Sequence, residues 1–149
     1  DGVDMYDVWE LGFTWVPAEH HFIGYVDGKA IAHVGVMRQV LQLNDGPLRI
    51  GGIKSVITIL EARGSGYASH MMRAATDYMG DAMAVDFGLL FCKESLLPFY
   101  GALGWEQVRN EVLVMHPKAG KKPWPREVMT HRFSNRYESE STAIRRPPP

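Results

Sequence analysis

Ser55-Val56-Ile57-Thr58-Ile59-Leu60-Glu61-Ala62-Arg63-Gly64-Ser65-Gly66-Tyr67-Ala68 changes its hydrophobic period part-way along. Arg49 to Leu60 is rich in β-branched residues, and its alternation predicts a long strand with Ile53, Ile57 and Ile59 on one face and Lys54, Val56 and Thr58 on the other. After Gly64-Ser65-Gly66, the residues Tyr67, Met71, Ala74, Ala75, Tyr78 and Ala82 recur at about 3.6, the period of a helix stripe. A strand that enters a helix through a glycine turn converges backbone N–H groups on one point, and the first helical turn adds unbonded donors and partial positive charge. That is an anion cradle. Glycine at 64 and 66 lets a phosphate approach without a Cβ in the way, Ala68 keeps the first helical turn slim, and Arg63 adds charge at the rim. The turn lacks the Lys-Ser/Thr ending of a P-loop, and its spacing is not that of the dinucleotide G-x-G-x-x-G fingerprint.

Upstream, Ala18 to Leu60 reads as an antiparallel meander punctuated by Asp27-Gly28 and Asn44-Asp45-Gly46, which supply the positive φ angles of tight hairpins. Ala30 to Leu43 carries Ile31, His33, Met37, Leu41 and Leu43 on one face and Ala32, Val34, Val36 and Val40 on the other, so it is expected to be a central strand. Downstream, Phe87 to Cys92 is an almost wholly apolar run, the pattern of a strand buried on both faces beside a parallel neighbour. Ser95 is placed to cap a short helix that runs to about Leu103 and stops at Gly104, and Trp105 opens another strand. Val112 to Met115 and Val128 to Phe133 are later strands, separated by a loop from Lys118 to Pro125. Residues 1–133 are therefore expected to form one domain, with 134–149 a polar, Pro-ending tail that is disordered or extended.

The chain has 149 residues, Lys+Arg 16 against Asp+Glu 17 and a formal net charge of -1, so no global field draws it to nucleic acid or to an anionic membrane. No transmembrane run or signal peptide is visible, and the single cysteine, Cys92, excludes an intrachain disulfide and a cysteine-rich zinc site, which fits the cytoplasm. His20-His21 and His33 have no acidic partner at metal-ligand spacing, so no metal is expected.

A second motif lies in Leu90-Phe91-Cys92-Lys93-Glu94-Ser95-Leu96-Leu97-Pro98-Phe99-Tyr100-Gly101-Ala102-Leu103-Gly104-Trp105. With Arg63-x-x-Gly66-x-Ala68 it resembles the two signatures of GNAT-superfamily N-acetyltransferases, the Arg/Gln-x-x-Gly-x-Gly/Ala acyl-CoA motif and the later Phe-Tyr-x-x-Leu-Gly-Trp/Phe motif, in the same order. The resemblance covers about Ala18 to Val108. It implies an α/β (α+β) fold: a mixed, mostly antiparallel central sheet flanked by helices, with a splayed pair of parallel strands at the acyl-CoA site. Acetyl-CoA is the implied cosubstrate, with Val56, Ile57 and Thr58 pairing with its pantetheine amides. The backbone of Arg63, Gly64, Ser65, Gly66, Tyr67 and Ala68 would hold the pyrophosphate. Tyr100 would stand near the thioester sulfur as general acid.

The implied reaction is direct transfer of an acetyl group to a primary amine of a small molecule: an antibiotic, a polyamine or an amino sugar. Peptide or protein N-acetylation, and a non-catalytic acyl-CoA-binding module, are the alternatives; a homodimer is left open. An amine of pKa about 10.4 is protonated at neutral pH, and exposing its lone pair costs roughly 4–5 kcal/mol, so a base is needed. Glu19, His20, His21, His33 and Glu94 are the candidates. Cys92 as an acyl-accepting nucleophile competes with Cys92 as a small buried hydrophobe, and Trp15 and Trp124 are candidates for the acceptor cleft. The pattern Ala32-His33-Val34-Gly35-Val36 with Ile50-Gly51-Gly52-Ile53 is closest to the aminoglycoside-acetyltransferase-like branch. Lys54, however, stands about where those enzymes carry an acidic residue, and only Tyr6 to Phe13 represents the elements that open the fold, so N-terminal elements are expected to be missing.

Overall fold

The computed structural model of the chain describes residues 17–43, 46–116 and 118–133. Strands β1 (His20–Val26), β2 (Lys29–Leu43) and β3 (Gly46–Thr58) form an antiparallel meander. Asp27 (φ 49) and Gly28 (φ 77) make the tight turn between β1 and β2, as their sequence requires. Asn44 and Asp45 lie outside the described residues, as do Tyr6 to Phe13, Trp15 and the tail 134–149. The chain continues through α1 (Tyr67–Asp81), β4 (Phe87–Cys92), α2 (Leu97–Ala102), β5 (Glu106–Gln107), β6 (Leu113–His116), β7 (Gly120–Pro123) and β8 (Glu127–Arg132). The main sheet has the order β1-β2-β3-β4-β8-β5, and β6 and β7 form a separate ribbon. All its pairings are antiparallel except β3–β4. The mixed, mostly antiparallel architecture expected from the sequence is therefore present.

Helix α1 packs on one face of β1, β2 and β3. Its buried residues are Met71, Met72, Ala75 and Met79, with Met72, Ala75 and Met79 at 0% exposure. The expected stripe is rotated: Ala74 and Ala82 are exposed and Tyr67 and Tyr78 only half-buried. Both stripes satisfy a helical period, but a methionine buries far more apolar area than an alanine, so the methionine face is driven inward.

Three further expectations are corrected. Strand β3 contains a bulge: His33 pairs with Ile57 and Gly35 with Lys54, so Ser55 and Val56 together oppose Val34, and Ser55 takes φ 52. The extra residue reverses the alternation. Ile53 is buried in the α1-facing core and Val56 packs against that core, whereas Ile57 is 53% exposed on the other face. Ser95 caps no helix, because it sits inside a 3-10 turn, Glu94–Leu96, that precedes α2, and α2 has no side-chain cap. The 118–125 loop holds strand β7, whose four residues are all exposed and paired only through the backbone, so hydrophobic period carries no trace of it.

Candidate active site

Strands β3 and β4 pair at only three positions, Ile50 with Phe87, Gly51 with Gly88 and Gly52 with Leu89. Beyond them the two strands separate, leaving a fork between Ile53–Thr58 and Leu90–Cys92. Because the strands are parallel, the chain leaves the open end of the fork twice: once into the glycine turn and α1, once toward α2. In the antiparallel ladder with β2, the N–H of Ile59 donates to the carbonyl of Ile31 at 3.0 Å, so Thr58, and by the same alternation Val56, turn their backbone groups into the fork, while Ile57 faces β2. Arg63 Nε donates to the carbonyl of Thr58 at 3.1 Å, drawing the start of the glycine turn onto the strand end. The hydroxyl Oγ1 of Thr58 is buried without a hydrogen-bond partner.

The turn itself is exposed from Arg63 to Gly66. Gly64 (φ 77) and Gly66 (φ 81) adopt the left-handed backbone that glycine allows, and a Cβ at either would meet nothing within 4 Å. Gly66 is the N-cap of α1 and supplies no side-chain cap. The first helical bond runs from His70 N–H to Gly66 C=O at 3.0 Å, so the amides of Tyr67, Ala68 and Ser69 have no partner within the helix. An open, donor-rich helix start thus follows the end of β3.

On the other arm, Tyr100 of α2 is 5% exposed, and its carbonyl accepts from Leu103 and Trp105 N–H. Burial, and then the thiol of Cys92, push its phenol up to about 12. Burial, and then the Glu127 carboxylate, push Cys92 up to about 11, so the thiol is held neutral and inert as a nucleophile. Glu127 is the cross-strand partner of Cys92 and accepts from Gln107 Nε2 at 2.8 Å. It lines a cleft of about 450 Å3 together with Gln107, Arg109, Glu111, Trp124 and Arg126, and Trp124 stacks obliquely on Phe91 at 4.5 Å. Glu127 is absent from the residues singled out in the sequence. It stands in no motif, and only the β4–β8 register brings it beside Cys92.

The base candidates are separated. His20 lies on the α1 face, its ring edge-on to Tyr78 at 5.0 Å and its Nδ1 3.4 Å from the phenol oxygen. His21 and His33 lie on the opposite face, joined by a 2.9 Å contact between His21 Nδ1 and His33 Nε2, and His33 Nδ1 donates to the carbonyl of Ser55 at the bulge at 2.8 Å. Glu19 accepts from Arg38 N–H, and Glu94 is exposed at the turn after β4. Lys54 is half-buried, and burial lowers its pKa. Among the described residues no group of three His, Cys, Asp or Glu side chains is arranged to hold a metal ion, and no helix is long and apolar enough to cross a membrane.

The acetyltransferase (GNAT) domain family matches residues 4–108, which include both the glycine turn and the Phe99 to Trp105 motif. The chain belongs to this family. Among solved structures the GNAT domain resembles the Escherichia coli GNAT family N-acetyltransferase YhbS in complex with CoA, at 16% identity and a TM-score of 0.59, over 88% of this chain and 66% of that one. Escherichia coli ElaA matches at 18% identity and a TM-score of 0.54, over 75% of this chain and 67% of that one. A probable N-acyltransferase from Enterococcus faecalis matches at 22% identity and a TM-score of 0.54, over 59% of this chain and 22% of that one. The GNAT domain thus spans about a fifth of the length of the Enterococcus protein and about two thirds of the Escherichia coli proteins. At these identities the likeness is one of fold. No curated protein matches the chain by sequence.

Proposed function

We propose that the chain is an acetyl-CoA-dependent N-acetyltransferase that passes an acetyl group directly to a primary amine of a small molecule. The observation that carries this reading is the fork itself: two parallel strands part after Gly52 and Leu89, and the glycine turn and Tyr100 leave its two arms. Acetyl-CoA supplies an activated acetyl thioester, and the residues present suit it. Val56 and the N–H of Thr58 offer backbone groups to an extended amide chain, the partnerless Thr58 hydroxyl offers one more, and the open turn at Gly64 and Gly66 with the first amides of α1 suits a pyrophosphate.

Tyr100 is the donor to the leaving sulfur. With its phenol at about 12, Tyr100 remains protonated throughout the working range and stabilises a thiolate by hydrogen bonding. Full proton transfer to a thiolate of pKa about 8.5 is uphill by roughly 5 kcal/mol, so solvent completes the protonation. Antibiotics, polyamines and amino sugars are the acceptors this reading favours, and the cytoplasm, where acetyl-CoA is made and used, is the compartment it requires. Thiol release from acetyl-CoA in the presence of kanamycin, spermidine or glucosamine tests the reading. Release that depends on one of these amines supports it, and binding of acetyl-CoA without release to any amine reduces the chain to an acyl-CoA-binding module.

A further inference from the structure

The sheet face opposite α1 carries a chain of two imidazoles that ends on the β3 bulge. A carbonyl oxygen has no proton to give, so the 2.8 Å contact with Ser55 C=O fixes a proton on His33 Nδ1. In the neutral ring, His33 Nε2 is then a lone pair, and the 2.9 Å contact makes His21 Nδ1–H its donor. Both nitrogens of His33 are thereby occupied. The one basic lone pair left on the pair is His21 Nε2, and His21 is exposed while His33 is half-buried.

We propose that His21, and not His33, is the residue of this face that accepts the acceptor's proton in acetyl transfer, with His33 and the Ser55 carbonyl as its positioning residues; this rests on the acetyltransferase reading above. Helix α1 and the donor-rich start that would hold the cosubstrate belong to one side of the fork, which leaves the face of His21, His33 and Ile57 for an incoming amine. A proton taken at His21 Nε2 lets His21 Nδ1–H pass to His33 Nε2. The cation is then shared along the His21 Nδ1 to His33 Nε2 contact, and the far end of the chain, His33 Nδ1–H, points at the Ser55 carbonyl dipole. The balance closes with two protons: the first passes from the ammonium to His21 and frees the lone pair that forms the N–C bond, the C–S bond breaks with its electron pair on sulfur, and the second, shed by the nitrogen once it is acylated, goes to solvent, which protonates the thiolate. The charged groups facing the pair are Lys54, which shares Gly35 as strand neighbour with His21, and Glu19, two residues before His21 on the same face.

Two measurements on the full chain decide it. In imidazole nitrogen NMR of the neutral rings, both His21 and His33 are expected as Nδ1–H tautomers. A His33 protonated at Nε2 overturns the chain whatever the activity. In kcat/KM against pH with spermidine or kanamycin as acceptor, His21→Asn keeps the Nδ1-like donor and removes the basic nitrogen. It is expected to lose about a hundredfold at neutral pH, to lose the acidic limb and to recover as the amine deprotonates itself, with acetyl-CoA affinity intact. His33→Asn is expected to move that limb. A wild-type profile in His21→Asn overturns the proposal. Absence of turnover in the wild type, with both Nδ1–H tautomers observed, overturns His21 as base together with the acetyltransferase reading but leaves the imidazole chain standing.

Discussion

Arg49 and Asp86 lock β3 to β4 at the closed end of the fork. The Arg49 backbone N–H and Nε both donate to Asp86 Oδ2, at 3.0 and 3.2 Å, and Nη2 reaches Oδ1 at 3.0 Å. In return Asp86 N–H donates to the Arg49 carbonyl at 2.8 Å. Asp86 is wholly buried while the Arg49 side chain is 47% exposed. The pair stands one residue before the first parallel pairing, Ile50 with Phe87, and so sets where the strands must be together and where they can part.

Removing the buried member is therefore expected to be costly. Asp86→Ala strips the acceptor from a backbone amide and two guanidinium donors, and about 3 kcal/mol of stability should be lost, read from urea unfolding midpoints at constant slope. The low end of the range for broken buried pairs applies because water reaches the arginine. A loss under about 1 kcal/mol would show that the β3–β4 apex is held by the apolar residues Ile50 and Phe87 alone.

Gly66, with open space where a Cβ would stand, is expected to bear on cosubstrate binding and not on the core. At φ 81 and with open space around it, Gly66→Ala should cost only about 1 kcal/mol of stability through backbone strain. Gly66→Glu adds a carboxylate at the helix start and should weaken acetyl-CoA binding at least tenfold beyond Gly66→Ala. Equal affinities for the two variants, measured by calorimetry, would place the pyrophosphate elsewhere.

The phenol of Tyr100 makes a prediction about pH. An acid whose pKa is raised to about 12 stays neutral through the working range, so Tyr100 itself contributes no limb to the rate profile below about pH 11. Tyr100→Phe should lower kcat by roughly ten- to a hundredfold, leave the affinity for acetyl-CoA unchanged and preserve the shape of the kcat profile between pH 6 and 10. Loss of an alkaline limb near pH 8 to 9 in this variant would mean that the tyrosine gives up its proton fully.

The sequence makes the architecture legible because its signals are local. The switch of period at Gly64 to Gly66, the Asp27-Gly28 turn and the apolar run Phe87 to Cys92 each name an element without reference to any partner. What the sequence hides are the features made by pairing. The bulge at Ser55 changes which isoleucines of β3 face the core, and nothing in the run Lys54 to Ile57 signals an extra residue. The helix face is decided by the size of Met72 and Met79 against the sheet and not by period, which Ala74 and Ala82 satisfy equally well. Strand β7 is paired and wholly exposed, so it leaves no apolar pattern. At the site, the glycine turn and Tyr100 are readable as motifs. The sorting of His20 from His21 and His33, and the approach of Glu127 to Cys92, follow from strand faces and register and cannot be read along the chain.

Calorimetric titration of the chain with acetyl-CoA tests the central claim most directly, since the fork, the glycine turn and Tyr100 are all assigned through that one ligand. Saturable binding at one site per chain, lost in Gly66→Glu and kept in Tyr100→Phe, is the predicted result. A folded chain that takes up no acetyl-CoA would contradict the account and leave the fork and its glycine turn as architecture without a ligand.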